Sequence, residues 1–526
     1  MSETQVEEFS ERPLVESARA TTSATAVLAA LAGSKLLFQF AGINHYGFFR
    51  DELYYMACGE HLAWGYVDQP PLIALVAWVS RHIFGNSLVS IRLLPVIAGS
   101  AVVLLTGVLA RELGGGRFAQ FVAAAAMLFA PAYLAFDSFL SMNAFEPLFW
   151  LLCSVMVVRI VKGASPRLWL TFGVVAGVGL ENKHSMLVFG FAVVAGLILS
   201  GEHSYFRSRW IWIGGLIALA LFLPNVLWEA RHGWPQIEVV RNAQLYKNVP
   251  ISPLRFLSEQ IAFLNPVAFP LWLGGLAWCF LSREGKRFRF LGWAYLIVMA
   301  VFMFLGGKSY YPLPVYPVLM AAGGVAFEYF TGVSDRRCIR AAFPALIVIS
   351  GLVALPFGVP ILPVNTFLRY SQVLPYSSLA KTERDAYQAD LPQLYADMFG
   401  WDNMAATVAH VYQNLPASDR ASCAILAGNY GEAGAIDYYG PALGLPKAIG
   451  GHNSYFYWGP RDYSGECMII FGERSSEFIT FFDEVQAAAT ITSAHAMPNE
   501  ESVVVYICRK PHVPLSVLWP RFKMII

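Results

Sequence analysis

The chain has 526 residues, of which 56% are hydrophobic and only 14% are charged, and its mean hydropathy is +0.50. Soluble domains usually carry about 25% charged residues, so one core could not hide this much apolar surface from water, and lipid must surround most of the chain. The formal net charge of +1 lacks the excess of basic residues that nucleic-acid binding needs. We therefore expect no nucleic-acid partner.

Residues 1–22 are polar and acidic, without the basic start and cleavage site of a signal peptide, and we predict a disordered cytoplasmic tail. About eleven apolar runs then approach the length of a membrane span, which is about 20 residues. They lie near 23–43, 88–110, 118–136, 145–161, 168–181, 185–200, 210–228, 259–281, 291–306, 312–330 and 341–360. The segment 71–84 is apolar but short, and we predict a helix that lies at the membrane interface or dips partway into the membrane.

Lys and Arg residues in the short loops indicate the orientation of the spans in the membrane. One set of loops is short and rich in cations, among them Arg111, Lys162, Arg207, Arg283 and Arg336. The alternate loops are longer or carry few cations, namely 44–87, 137–144, 182–184, 229–258 and 307–311. We therefore predict a multi-pass protein of the cell (inner or plasma) membrane with a cytoplasmic N-terminus. Its membrane domain spans 23–364, with 44–87 as the first outer loop.

Residues 365–526 regain charged and amide side chains, and we predict an extracytoplasmic α/β domain there. Strands are expected at 423–430, 466–473 and 502–509, and helices at 402–414 and 475–488. The glycines of GNYGEAG (428–434) lack the spacing of a dinucleotide site, so we predict a turn that opens a helix. One disulfide among Cys423, Cys467 and Cys508 stays open, with three unpaired thiols preferred.

Four polar segments lie at the predicted outer surface: 50–52 (RDE), 136–147, 181–184 (ENKH) and 306–317. Ionisable groups so close to hydrocarbon are costly and are functional hypotheses by default. Each has a structural alternative, because Asp51 can cap a helix that begins near Leu53 and an outward cation can reach lipid headgroups. Together they pair acids with cations, which anchoring does not need. We therefore favour a site for a polar, partly anionic substrate.

Several stretches of the sequence resemble a known family. They are the DE pair at the end of the first apolar run with YYMACGEHLAWGYVDQPPL after it, SMNAFEPLFW, ENKHS, GKSYYPLPVYPVLMAAGG and NYGEAGAIDYYGPALGLPKAIGGHNSYFYWGP. In them the chain resembles the GT-C superfamily of membrane glycosyltransferases over nearly its whole length. The nearest group is the bacterial family-39/83 type, related to protein O-mannosyltransferases and the aminoarabinose transferase of lipid A. The resemblance implies a polytopic α-helical membrane fold with about 11 spans and a C-terminal extracytoplasmic α/β domain.

The resemblance also implies a function. Such enzymes move a sugar from a polyprenyl-phosphate carrier in the bilayer to an acceptor hydroxyl on the outer face, with inversion at the anomeric carbon. The acceptor is a protein, a glycolipid or a wall polymer. Asp51 matches the family's general base, and Glu52 is expected to shape the acceptor side or accept a sugar hydroxyl. Four residues match positions that contact the carrier phosphate or its lipid: Lys183, Lys308, Tyr310 and Tyr311.

The second acidic loop departs from the family pattern, because Asn143 stands where many relatives have an Asp. Asn143 cannot act as a base, but Glu146 lies three residues later, on the same helical face, and can restore the carboxylate. Asn143 and Glu146 are the expected pair, and Asp137 is a weaker substitute. A polytopic transporter or flippase of lipid-linked sugars is the alternative function, although transporters usually place their polar groups at mid-membrane.

No metal site is assigned from the sequence. Histidines on the predicted outer side lack the HxH and HExxH spacings of metal sites; these are His45, His61, His82 and His184. A phosphate leaving group flanked by lysines can depart without a metal. A divalent cation nevertheless stays open as a cofactor, since some relatives bind one.

Overall fold

The computed structural model describes residues 25–332, 336–373 and 389–526. The predicted tail 1–22 lies outside these residues. The first part of the described chain is helical, with α1 Thr25–Gly42, α2 Arg50–Glu60, α3 Leu72–Phe84, α4 Leu88–Glu112, α5 Arg117–Leu128, α6 Pro131–Phe136, α7 Met142–Val161, α8 Leu168–Asn182, α9 Met186–Leu199, α10 Arg209–Arg231, α11 Pro235–Asn242, α12 Pro253–Phe263, α13 Phe269–Leu281, α14 Arg289–Phe304, α15 Tyr316–Thr331, α16 Arg337–Gly358 and α17 Val364–Ser371.

Seven helical stretches among the described residues are long and apolar enough to cross a membrane. They are Thr25–Gly42, Leu88–Glu112, Met142–Val161, Arg209–Arg231, Gly285–Phe304, Leu313–Thr331 and Arg337–Gly358. Four shorter apolar helices accompany them, α3, α5, α8 and α9. The polytopic helical fold is thus confirmed. The count of eleven spans stays a prediction, because length and composition do not decide whether the shorter helices cross.

The predicted span 259–281 is broken in the structure. Helix α12 and the helical stretch Pro266–Leu281 are bent by 101° relative to each other. The break lies at Asn265, which has a positive φ of 69° and directly precedes Pro266. The Asn265 side chain donates to the carbonyl oxygen of Ile347 at 3.1 Å, so α16 holds the bend from the side. The Asn265–Pro266 dipeptide, a common turn signal, was the indication of this bend in the sequence.

Helices α8 and α10 approach each other closely because glycines meet at their crossing. A Cβ atom on Gly173 would lie 2.2 Å from the carbonyl oxygen of Gly214, and a Cβ atom on Gly214 would lie equally close to that of Trp169. Small residues allow this approach, which replaces the hydrophobic driving force that helices lack inside lipid. The same arrangement joins α13 and α15 at Gly275 and Gly323.

The C-terminal region forms a mixed five-stranded sheet in the order β2-β1-β3-β5-β4. Its strands are β1 Ala424–Ala427, β2 Ile449–Gly450, β3 Cys467–Phe471, β4 Phe482–Thr492 and β5 Ser502–Pro511. Its helices are α18 Gln393–Ala396, α19 Trp401–Gln413, α20 Ala417–Arg420, α21 Tyr430–Tyr439, α22 Ser454–Trp458, α23 Ser475–Phe478 and α24 Leu515–Leu518. Strand β1 is parallel to β2 and β3, whereas β5 is antiparallel to β3 and β4. The three predicted strands and the helix predicted at 402–414 are all present.

Two expectations for this region need correction. The helix predicted at 475–488 is only a four-residue turn of helix, α23, after which the chain enters β4. Strand β4 pairs with β5 along its whole length, and this ladder outweighs the helical preference of its alanines. Cys423 and Cys467 form a disulfide between the starts of β1 and β3, whereas Cys508 is a buried free thiol. The preference for three unpaired thiols was wrong.

Candidate active site

Glu52 is a fully buried carboxylate at the start of α2. Arg92, on α4, donates to both of its oxygens, at 3.0 Å from Nε to Oε1 and 2.8 Å from a terminal nitrogen to Oε2. The backbone N–H groups of Phe49 and Leu140 complete the set at 2.8 and 2.9 Å. Arg92 is also fully buried and donates to the carbonyl oxygens of Ile43 and Gly47. Glu52 therefore joins α2, α4 and the chain before α7, and sequence reasoning did not find Arg92.

Asp51 precedes Glu52 but lies in a different environment, because successive helical residues point about 100° apart. Its side chain is 30% exposed, and its Oδ1 atom accepts a hydrogen bond of 2.9 Å from the hydroxyl of Tyr430. Arg50 Nε lies 3.9 Å from the same oxygen. Phe49 is the N-cap of α2, so Asp51 does not occupy the cap position. A carboxylate in this first turn still interacts favourably with the helix dipole.

Asp68 is a third carboxylate in this part of the molecule, close enough to Asp51 to feel its charge, and sequence reasoning did not single it out. Its oxygens accept hydrogen bonds from the hydroxyl of Tyr54 at 2.9 Å and from the amide of Asn453 at 3.2 Å. Burial raises the pKa of Asp68 to about 6, Tyr54 opposes that shift, and the charge of Asp51 adds to it. The Tyr54 ring lies 4.7 Å from that of Tyr430, so two neighbouring tyrosines connect the two carboxylates. The only signal in the sequence was the position of Asp68 within YVDQPPL.

The carboxylates Asp51, Glu52 and Asp68 form a first cluster. A second cluster surrounds Lys183, which directly follows α8. The Lys183 ammonium donates to Asn143 Oδ1 at 2.8 Å and to Glu146 Oε2 at 2.9 Å. Ser185 donates to the other oxygen of Glu146. Asn143 and Glu146 lie on one face of α7, as their spacing predicts, and Ser141 caps that helix. The weaker candidate, Asp137, is instead buried in an ion pair with Lys35 of α1 at 2.8 Å.

The predicted carrier-binding residues before α15 extend this second cluster. The Lys183 ammonium lies 4.9 Å from the ring centre of Tyr311, and Lys308 lies 5.9 Å from that of Tyr310. The two tyrosine rings are themselves 5.0 Å apart. A pocket lies beside them, lined by Tyr133, Phe136, Asn143, Glu146, Pro147, Tyr310, Leu313 and Pro314. The structure thus brings Asn143, Glu146, Lys183, Lys308, Tyr310 and Tyr311 together.

Lys308 also lines a further pocket, together with a cation that sequence reasoning missed. The lining of this pocket includes Lys308, Arg255, Glu259 and the N-terminal part of the 306–317 motif. Arg255 Nε lies 2.7 Å from an oxygen of the buried Glu259, one helical turn later on α12. The 229–258 loop carried Arg255 in the sequence, but nothing indicated that α12 bends back toward Lys308.

The chain before α7 links the two clusters. Leu140 donates its backbone N–H to Glu52, next to Asp51, and Asn143 lies three residues later beside Lys183.

Within residues 25–332, 336–373 and 389–526, no three His, Cys, Asp or Glu side chains are grouped so that they could hold a metal ion.

Comparison with known proteins identifies the fold. The family profile described as dolichyl-phosphate-mannose-protein mannosyltransferase matches residues 68–228. No curated protein sequence matches the chain. The crystal structure of ArnT from Cupriavidus metallidurans bound to undecaprenyl phosphate superposes with a TM-score of 0.60, at 15% identity, over 91% of this chain and 98% of that chain. The apo structure of the same protein also gives 0.60, at 14% identity, over 92% and 98%. The chain therefore has the GT-C fold, and its resemblance to the membrane glycosyltransferases of this superfamily is confirmed.

Proposed function

We propose that the chain is an inverting glycosyltransferase that moves a sugar from a polyprenyl-phosphate carrier to an acceptor hydroxyl on the outer face of the membrane. The observation that carries this proposal is the difference between Asp51 and Glu52. Glu52 is sealed by four donors, whereas Asp51 is partly exposed and is held by one tyrosine hydroxyl. The fold supports the proposal, because ArnT, which shares it, binds undecaprenyl phosphate.

Asp51 acts as the general base. Its carboxylate takes the proton of the acceptor hydroxyl while that oxygen attacks the anomeric carbon, which requires a distance of about 3 Å between the carboxylate and the hydroxyl oxygen. The new bond forms on the face opposite the phosphate, the bond from the anomeric carbon to the phosphate oxygen breaks, and its electron pair leaves with the polyprenyl phosphate. A single displacement therefore inverts the configuration of the anomeric carbon.

Lys183 and Lys308 stabilise the departing phosphate. Its charge grows as the sugar leaves, and positioned ammonium groups lower the energy of that charge. Tyr310 and Tyr311 lie under these two ammonium groups and add hydroxyl donors and an apolar surface for the lipid. Arg255, which lines the same pocket as Lys308, contributes a third cation.

Asn143 and Glu146 work with Lys183. Asn143 offers an amide that can bind a sugar or acceptor hydroxyl, and Glu146 supplies the carboxylate that the second acidic loop otherwise lacks. Both contact the Lys183 ammonium, so they also fix its position. Glu52 shapes the acceptor side indirectly, since its buried contacts hold the start of α2 on which Asp51 stands.

The orientation of the chain is part of the proposal. The loops rich in Lys and Arg lie in the cytoplasm, and residues 365–526 lie on the outer face. The Cys423–Cys467 disulfide supports this assignment, because disulfides persist in oxidising compartments. The sugar donor is then used on the outer side, where acceptor proteins, glycolipids or wall polymers are available.

The test is a transfer assay with purified protein in liposomes. The probes are radiolabelled undecaprenyl-phosphate monosaccharides, beginning with mannose, and a membrane extract supplies acceptors. Asp51→Asn should lower turnover by about a hundredfold or more, since general bases contribute about 10²–10⁴-fold. Asp483→Asn is the matched control, because Asp483 is an exposed residue of the edge strand β4.

Two results would contradict the proposal. Near-normal turnover of Asp51→Asn would remove Asp51 as the base. Movement of the labelled carrier across the bilayer without transfer to any acceptor would favour the flippase alternative.

A further inference from the structure

The C-terminal α/β region packs directly on the helix that carries Asp51. Helix α21 approaches α2 at two glycines, Gly431 and Gly434. A Cβ atom on Gly434 would lie 2.9 Å from the backbone carbon of Leu53, and one on Gly431 would lie 2.4 Å from Cγ of Arg50. Backbone atoms therefore define the approach at Gly434. The two helices are held at a fixed short distance.

Tyr430 is the first residue of α21 and extends from this contact to Asp51. Its hydroxyl donates to Asp51 Oδ1 at 2.9 Å, although the two residues are 379 positions apart in the chain. The Tyr430 side chain is buried, with its ring 4.7 Å from that of Tyr54 and 5.5 Å from the guanidinium of Arg50. These close neighbours leave the ring few alternative orientations.

The turn before α21 fixes the backbone of Tyr430. Asn429 caps the helix, with its side-chain oxygen accepting from the N–H groups of Gly431 and Glu432 at 2.9 and 3.0 Å. The buried Glu432 carboxylate returns to the N–H groups of Gly428 and Asn429 at 2.8 and 3.1 Å. This reciprocal arrangement is a capping box, which satisfies the free donors of the first helical turn. The predicted turn at GNYGEAG is confirmed, and it delivers a tyrosine to Asp51.

We propose that Tyr430 is a positioning residue for the reaction. Its hydroxyl holds Oδ1 of Asp51, so that the carboxylate keeps one orientation and its other oxygen receives the acceptor proton. A hydrogen bond to an ionised acceptor is stronger than one between neutral groups, which suits this task. The α/β region thereby completes the active site of the membrane region. This inference rests on the proposed function, because it takes Asp51 as the base.

The experiment compares Tyr430→Phe with Tyr438→Phe in the liposome transfer assay, using the radiolabelled undecaprenyl-phosphate monosaccharide that wild-type protein accepts. Both variants lose one hydroxyl from α21, but that of Tyr438 donates to the carbonyl oxygen of Asn86. Tyr430→Phe should lower kcat by about tenfold or more, because a hydrogen bond to a charged group is lost. Its KM for the carrier should be unchanged, since Lys183 and Lys308, the proposed phosphate-binding residues, are intact. Tyr438→Phe should keep wild-type kcat.

A second variant tests the same contact without changing a polar group. Gly434→Ala should push α21 away from the backbone of α2 and also lower kcat at constant KM. If Tyr430→Phe keeps wild-type kcat while Asp51→Asn abolishes transfer, the inference is wrong and the proposed function stands. A rise in KM equal to the fall in kcat/KM would also overturn it, because Tyr430 would then bind substrate. An active Asp51→Asn variant would remove both.

Discussion

Two ion pairs of nearly equal length lie on the two sides of the candidate site. The distance from nitrogen to oxygen is 2.8 Å in Arg92–Glu52 and 2.9 Å in Lys183–Glu146. Both side chains of the first pair are 0% exposed, whereas Lys183 is 17% and Glu146 is 4% exposed. Glu146 also lines a pocket. The two pairs are alike in distance and differ in access.

Under the proposed function, the difference in access separates a structural pair, Arg92–Glu52, from one that takes part in the chemistry, Lys183–Glu146. Arg92 binds Glu52 through the planar fork of its guanidinium and uses its other donors on backbone carbonyls, so a substrate cannot replace any partner without leaving a buried group unpaired. Lys183 has a compact ammonium with three donors, shared between Asn143, Glu146 and the ring face of Tyr311. The Lys183 side chain is 17% exposed, so a phosphate can approach its ammonium. An ion pair alone does not indicate a functional site. The exposure of its side chains to a substrate distinguishes the two pairs.

The largest expected effect breaks the buried pair. Glu52→Gln leaves the Arg92 charge in the interior without its counter-charge, which typically costs about 3–5 kcal/mol. We expect the free energy of unfolding of the detergent-solubilised protein to fall by that amount, measured by chemical denaturation.

Glu60→Gln is the matched control for this change, because Glu60 lies on the same helix. Its partners, Arg81 and Lys447, are partly exposed, and such pairs contribute about 0–1 kcal/mol. Equal losses in the two variants would contradict the structural role of Arg92–Glu52.

The second prediction sharpens the accessible side of the comparison. Lys183→Met should weaken binding of undecaprenyl phosphate by about tenfold to a hundredfold, since a charge-assisted contact to phosphate is lost. Titration of the purified protein with this lipid measures the effect. The double variant Lys183→Met/Glu146→Gln should regain stability, because no unpaired carboxylate remains, but it should not regain binding.

Lys162→Met is the control for lipid binding, because Lys162 pairs with Glu112 at the predicted cytoplasmic end of α7. Equal affinity of wild-type protein and Lys183→Met would remove Lys183 from the phosphate site. Recovery of affinity in the double variant would mean that Lys183 acted only by neutralising Glu146.

Local pattern predicted those features that depend on neighbours in sequence. Apolar runs located the membrane helices, and the spacing of three residues placed Asn143 and Glu146 on one face of α7. The GNYGEAG glycines indicated the turn before α21 for the same reason. The identity of Asp51 as the leading base came from the family resemblance, and it remains a prediction that mutation must test.

Contacts between distant segments could not be predicted. Arg92 lies inside an apolar run, where a single cation is expected to be unfavourable. Only the fold shows that it forms an ion pair with Glu52. Tyr430 belongs to a region that local patterns assigned to a separate domain. Strand β4 was mistaken for helix because its pairing with β5, across the turn, is what determines its conformation. In each case the deciding partner lies far along the chain or on another element.

The smallest effect concerns two buried carboxyl groups that share the side-chain amide of Asn429. Glu432 and Glu500 are both buried, and the Asn429 amide donates to both. Burial raises the pKa of Glu500 to about 7, with Asn429 and the charge of Arg50 opposing that shift and Glu473 adding to it. Between about pH 4.5 and pH 7 the folded protein therefore holds a proton that the unfolded chain releases. Stability must therefore fall as pH rises through this window.

Glu500→Gln should remove part of this pH dependence. Glutamine keeps an oxygen for the Asn429 amide but does not titrate, while Glu432 takes over some of the titration of the pair. We expect the difference in free energy of unfolding between pH 5 and pH 8 to shrink by about 1–2 kcal/mol, with the variant more stable than wild type at pH 8. Glu501→Gln, at the exposed neighbouring position, should leave the dependence unchanged. Parallel pH curves for wild type and Glu500→Gln would show that this carboxyl is already ionised at pH 5, which would mean that the pair is stabilised by cations, as Glu52 is by Arg92.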